Sequence, residues 1–164
     1  MEKAQTAKSK TEEIRMEDKI TVTSIAPWFT GFRRIVTIGD VSISPNGSVR
    51  LSREEVLAQG QSNNKLITGI DGMGSHATLY IEDEWTRKEL GFDTEETKQQ
   101  VMTKNLVKSM FEKKTIPQFK KEIERNVVTR AEKFSLLSAI KALKLNDYEK
   151  IAFCEEYCGA KLNA

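Results

Sequence analysis

Gly69-Ile70-Asp71-Gly72-Met73-Gly74-Ser75-His76-Ala77-Thr78-Leu79-Tyr80-Ile81-Glu82-Asp83 is the stretch on which the reading of this chain turns. It holds three of the nine glycines, the only histidine and an alternating apolar run. One reading is a glycine-rich loop that presents Ser75 and His76 to a substrate. The other is a tight turn in a small sheet, with Asp71-Gly72 at the corner and the glycines at positive-φ positions. The second is the more economical. It makes residues 65–68 and 77–82 the two arms of a hairpin, and His76 a turn or edge histidine that hydrogen-bonds locally.

The catalytic alternatives fail on spacing. Neighbouring residues of a strand point to opposite faces, so Ser75 and His76 do not form a nucleophile–base pair. A nucleophile elbow needs Gly-x-Ser-x-Gly between strand and helix, whereas Ser75 is followed by His76, Ala77 and a strand. Gly69, Gly72 and Gly74 do not give Gly-x-Gly-x-x-Gly, and no Gly-Lys-Ser/Thr or helix start follows them. Glu82-Asp83-Glu84 offers carboxylates, but a hard cation needs oxygens converging from spaced positions. That run reads instead as a strand exit into a short helix through Trp85 and Arg87. Cys154 and Cys158 lie four apart on a helix, too few and too poorly placed for a disulfide framework, and zinc lacks further ligands. No catalytic residue, cofactor or metal site is expected.

Residues 20–92 have the grammar of strands. Thr21, Val22, Thr23 and Ile25 begin it and Pro27-Trp28-Phe29 interrupts. Phe32, Ile35, Val36, Ile38, Val41 and Ile43 continue it, with Gly39-Asp40 as a bulge or kink. Pro45-Asn46-Gly47 is a turn, and Val49 and Leu51 form a short strand beyond it. Ser52-Arg53-Glu54-Glu55 matches a capping box opening a short helix that ends near Gly60. Five or six strands and one short helix suffice for a small antiparallel barrel or sandwich.

After Asp93 the grammar becomes helical. Asp93 or Thr94 can cap a first helix carrying Val101, Met102, Leu106, Met110 and Phe111 on one face. Thr115-Ile116-Pro117 starts a second, with Phe119, Ile123 and Val127 inward. Thr129-Arg130-Ala131-Glu132 is a capping box before the stripe Phe134, Leu137, Ile140 and Leu143. Asn146-Asp147 opens a fourth helix, with Tyr148, Ile151, Ala152 and Tyr157 inward and Gly159 at its end. The expected class is α+β in three parts: a polar, mobile arm over residues 1–19, a β-rich module over 20–92, and an all-helical module of about four helices over 93–164.

The chain has 164 residues, 38% apolar and 30% charged, with a net charge of +2. No apolar run approaches a membrane span, and residues 1–19 lack a signal-peptide core, so the expectation is a protein that is neither secreted nor membrane-bound. The charge is uneven. Residues 1–93 hold 12 Lys and Arg against 14 Asp and Glu, and residues 94–164 hold 14 against 10. Lys113, Lys114, Lys120, Lys121 and Arg125 cluster around one helix start, and Lys104 and Lys108 share a face of the preceding helix. Phosphates or an acidic partner would suit them. Glu112, Glu122 and Glu124 are interspersed, however, which favours a solvated surface and leaves nucleic acid as the less favoured partner. Trp28 and Phe29 form either an aromatic knob for a partner or part of the core.

Leu51-Ser52-Arg53-Glu54-Glu55, Asn64-Lys65-Leu66 and residues 69–83 resemble small uncharacterised proteins of tailed bacteriophages, prophages and related mobile elements, mostly over the β module. The resemblance carries no catalytic or binding residues. It implies a setting: a non-enzymatic virion-associated protein that decorates, stabilises or connects a capsid through contacts with other subunits, located in the virion or the bacterial cytoplasm. Trp28, Phe29, His76 and the basic residues above are the candidate partner contacts. The alternatives are an intracellular nucleic-acid-binding or regulatory factor using the basic face, and an inhibitor of a host defence protein.

Overall fold

The computed structural model describes residues 13–162. It is mixed α+β, with seven helices and two small antiparallel sheets. The expected arm lies partly outside these residues. Its described part, residues 13–18, is exposed and runs past the first helix, where Met16 and Asp18 carbonyls accept from the Glu54 and Arg53 amides at 2.9 and 2.8 Å.

The first sheet has β1 (Lys19–Ser24) at its centre, between β4 (Ser48–Ser52) and β5 (Leu79–Ile81). Val22 faces Val49 on one side and Ile81 on the other. Period-two alternation sends Ile20, Val22, Leu51, Leu79 and Ile81 to one buried face. The second sheet is a two-stranded ribbon of β2 (Thr30–Arg33) and β3 (Asp40–Ile43), whose Val41 and Ile43 join the same core. The sheets do not close into a barrel, which corrects the barrel alternative, while the α+β class stands.

Three further expectations for this region need correction. Residues 65–68 are not a strand but α2 (Lys65–Thr68), because the Asn64 side chain accepts from Leu66 N at 3.2 Å and starts a helical turn. With that arm gone there is no hairpin around the glycines, and β5 pairs with β1 instead. The region contains three helices where the barrel or sandwich count had one: α1 (Arg53–Gln61), α2, and α3 (Glu84–Glu89), the last being the short helix expected through Trp85 and Arg87. Ile35, Val36 and Ile38, read as part of a strand, lie in an exposed loop between β2 and β3.

The C-terminal helices are α4 (Lys104–Phe111), α5 (Ile116–Asn126), α6 (Arg130–Ala142) and α7 (Tyr148–Cys158). Their caps are Thr103, Thr115, Thr129 and Asp147, each accepting a backbone amide of the first turn. The first is capped by Thr103, nine or ten residues later than the expected Thr94 or Asp93. Asp93 does not cap a helix, since its buried carboxylate is held by Arg87 Nε at 3.0 Å and by Gln99 N at 2.8 Å. Thr94 closes only a local turn onto Thr97.

Met110, Phe111, Phe119, Ile123, Leu136, Leu137 and Ile140 fill the second core, which also takes Ile25 and Ala26 from the loop after β1. Helix α7 is rotated from the expected face. Lys150 and Cys154 are buried, while Tyr148 and Ala152 are exposed. The Lys150 ammonium sets this rotation by donating to the Phe111 and Lys113 carbonyls, which the end of α4 leaves without helical partners. Among the described residues no helix is long and apolar enough to cross a membrane.

Candidate functional site

The ribbon β2–β3 carries the densest group of exposed apolar side chains. Ile38 at its tip is fully exposed (103%) and Ile35 and Val36 are 50% and 40% exposed, while Phe29, just before β2 at the opposite end of the ribbon, is 71% exposed. Exposed apolar side chains gathered on one loop make it a candidate contact surface. The tip is held from beneath by polar bonds. Arg34 N donates to Gly39 O at 2.9 Å, closing the loop. Glu55, buried on α1, accepts from Ile35 N at 3.0 and 3.1 Å and from Val36 N at 3.2 Å. Gln59, one turn on, donates to Arg33 O at 2.8 Å and to Glu55 at 3.2 Å.

This is where half of the expected Ser52–Glu55 capping box went. Ser52 Oγ does accept from Glu55 N at 3.2 Å. The Glu55 carboxylate, though, has turned away from Ser52 to hold the loop. Arg33 and Asp40 face each other in register at the base of the tip, 4.0 Å apart and 89% and 81% exposed.

The glycine-rich segment is a compact loop. Ile70 N donates to Ser75 O at 3.0 Å, Gly74 N to Thr68 O at 2.6 Å, and the Asp71 carboxylate accepts from the Met73 and Ser75 amides at 2.8 and 3.2 Å. Bonding from the Ser75 side chain, ahead of these amides, holds the Asp71 carboxyl below its usual range. Gly69 and Gly74 are required by space as well as by φ of 75° and 89°. A Cβ on Gly69 would lie 2.0 Å from Ser75 O, and one on Gly74 would lie 2.7 Å from Gln99 Nε2.

His76 follows at φ 59° and hydrogen-bonds far from its own turn, which corrects the local reading. Its Nδ1 lies 2.9 and 3.0 Å from the carboxylate oxygens of Glu132, 56 residues away. A carboxylate accepts, so Nδ1 is the donor. Glu132 Oε1 also accepts from Val128 N, Thr129 N and Thr129 Oγ1 at 3.0 to 3.2 Å, completing the capping box of α6.

The pair stands in a cleft of about 420 Å³ between the glycine loop, residues 91–102 and α5, with Lys98, Arg125 and Asn126 also in its lining. An imidazole oriented by a carboxylate is two-thirds of a hydrolytic triad. Among the described residues no hydroxyl or thiol is hydrogen-bonded to His76, and Ser75 is bonded within its own loop. The carboxylate's bonds to the α6 cap give the pair a structural task, joining the glycine loop to the helical core.

The other candidate contacts are spread widely. Trp28 is half-buried, edge-on to Phe134 at 5.9 Å and under Arg130 at 5.5 Å, so the Trp28-Phe29 pair is divided between core and surface. Lys104, Lys108, Lys113, Lys114, Lys120, Lys121 and Arg125 are all exposed on or beside α4 and α5. Lys120 covers the Phe153 ring at 5.2 Å, and Arg125 lies 3.7 Å from Glu122. Burial pushes the thiols of Cys154 and Cys158 up to about 12 and about 11, far from a reactive thiolate. Among the described residues no group of His, Cys, Asp and Glu could hold a metal.

Comparisons with protein families, with curated proteins and with solved structures find no match.

Proposed function

We propose that this chain is a non-enzymatic assembly protein that holds other protein subunits through the tip of its β2–β3 ribbon. In the setting that its resemblance implies, it decorates, stabilises or connects a phage particle. One observation carries the reading: three exposed aliphatic side chains, Ile35, Val36 and Ile38, lie close in sequence on a single hairpin loop whose backbone a buried carboxylate keeps in shape. An anchor that is already ordered loses little entropy on docking, which favours contact over chemistry. The His76–Glu132 pair serves this role indirectly by fixing the glycine loop against α6. Particles purified from the element that encodes the chain should contain it at high copy number by mass spectrometry. Its absence from them would sink the virion setting.

A second reading has its own support. Lys104, Lys108, Lys113, Lys114 and Lys121 are exposed and form no ion pair among the described residues. A nucleic-acid partner on this face predicts binding to generic DNA or RNA that weakens steeply with salt. No binding at low salt would remove it.

A further inference from the structure

We infer that the occupant of the ribbon tip is a second copy of this chain, docked about a two-fold axis, an inference that rests on the contact reading above. The tip presents Ile35, Val36 and Ile38 with its loop backbone already bonded to Gly39 and Glu55, so a covering surface there need supply little beyond apolar contact. The flanking charges then choose among partners. Arg33 and Asp40 stand opposite each other in register, yet at 4.0 Å and more than four-fifths exposed they are barely engaged.

A partner surface of one sign would pair one of these charges and repel or strand the other. A two-fold copy carries both, so Arg33 of each chain can meet Asp40 of the other across an apolar centre. The backbone points the same way. The ribbon forms a sheet of its own, separate from β4-β1-β5, and while Glu55 and Gln59 occupy the β2 side from Arg33 to Val36, the outer edge of β3 has no third strand. A two-fold contact between such ribbons closes the assembly, whereas a head-to-tail contact would propagate. The patch is small beside the roughly 1,200 Å² of a stable interface, so the dimer is reversible and concentration-dependent.

Sedimentation velocity of the full chain, from low to high micromolar concentration, tests this. The expected result is a monomer that converts to a dimer, with association weakened roughly tenfold or more by Ile38→Glu and by Arg33→Asp. The double variant Arg33→Asp/Asp40→Arg restores it, because both crossed pairs re-form with reversed sign. Thermal melting of each variant verifies that the fold is kept. A monomer at every concentration overturns the inference, as does a dimer indifferent to Ile38→Glu. Ile38-dependent pelleting with anionic phosphatidylglycerol vesicles by a chain that stays monomeric assigns the tip to lipid and overturns it too. A monomer still present in purified particles would remove the second copy and keep the contact function.

Discussion

Replacing Glu55 with alanine should release the ribbon tip without touching any exposed residue. The carboxylate accepts from Ile35 N, Val36 N and Gln59 Nε2 at 3.0 to 3.2 Å and is almost wholly buried. A hydrogen bond to a charged group contributes about 1.5–3 kcal/mol, and a buried donor left unpaired costs about 1–3 kcal/mol. Ile35 and Val36 lie in a half-exposed loop, so their amides can rehydrate once it swings free, which keeps those two losses at the low end. Gln59 is buried and cannot escape so easily. The total is about 2–4 kcal/mol, a fall in Tm of roughly 5–15 °C for a chain of this size.

Glu55→Gln keeps one acceptor oxygen but turns an amide NH2 toward donors, and should lose about half as much. Circular dichroism melts measure the stability. Hydrogen exchange measures the mechanism: the Ile35 and Val36 amides should be protected in the wild type and exchange freely in Glu55→Ala. An alanine variant that melts within about 1 °C of wild type, with both amides still protected, would refute the clamp.

Three further predictions follow from the junction, the caps and the thiols. His76→Ala should cost about 1–2 kcal/mol by removing one bond to a buried carboxylate, while leaving partner binding intact; lost binding with an unchanged melt would return the cleft to catalysis or recognition. Burial would raise the Asp83 carboxyl, but bonds from Thr86 and then Arg53 outweigh it and hold the group below its usual range. Its contribution to stability is therefore fully present above the unfolded value near pH 4 and is lost as pH falls through the lower folded value. Asp83→Asn should flatten that part of the acid limb in a pH series of urea melts, and an unchanged limb would contradict the assignment. Cys154 and Cys158 should react slowly with a disulfide reagent at pH 8 in the folded protein and in a burst after denaturation; a fast native reaction would show that burial does not protect them.

The helical half was readable where its signals were local. Thr115, the Thr129/Glu132 box, Asp147 and Gly159 all mark the boundaries their chemistry implies, because a cap is decided within four residues. The β half was harder, because there residues do tasks that periodicity cannot see. Ile35, Val36 and Ile38 have the composition of a buried strand and are used on an exposed tip, where tertiary context overrides propensity. Asn64 caps the helical turn that stands where the expected hairpin arm would be. Asp93 resembled a cap until Arg87, buried beside it, claimed the carboxylate.

Both halves of the candidate site depended on distant partners. Glu55 reaches back to residues 35 and 36, and Glu132 crosses from α6 to His76. Each glutamate sits in a capping-box pattern, which accounts for the cap bonds of Glu132 though not for its bond to His76, and only for the backbone of Glu55. The glycines were legible as turn formers, yet their need to let Ser75 O and Gln99 approach required the folded loop.

The contact function is tested most directly by the copy number of the Ile38→Glu variant in purified particles, measured beside wild type by quantitative mass spectrometry. Ile38 is fully exposed, so the substitution should leave the melt unchanged. Wild-type protein should be present at high copy number and the variant reduced to trace; equal occupancy by the two would contradict the contact function.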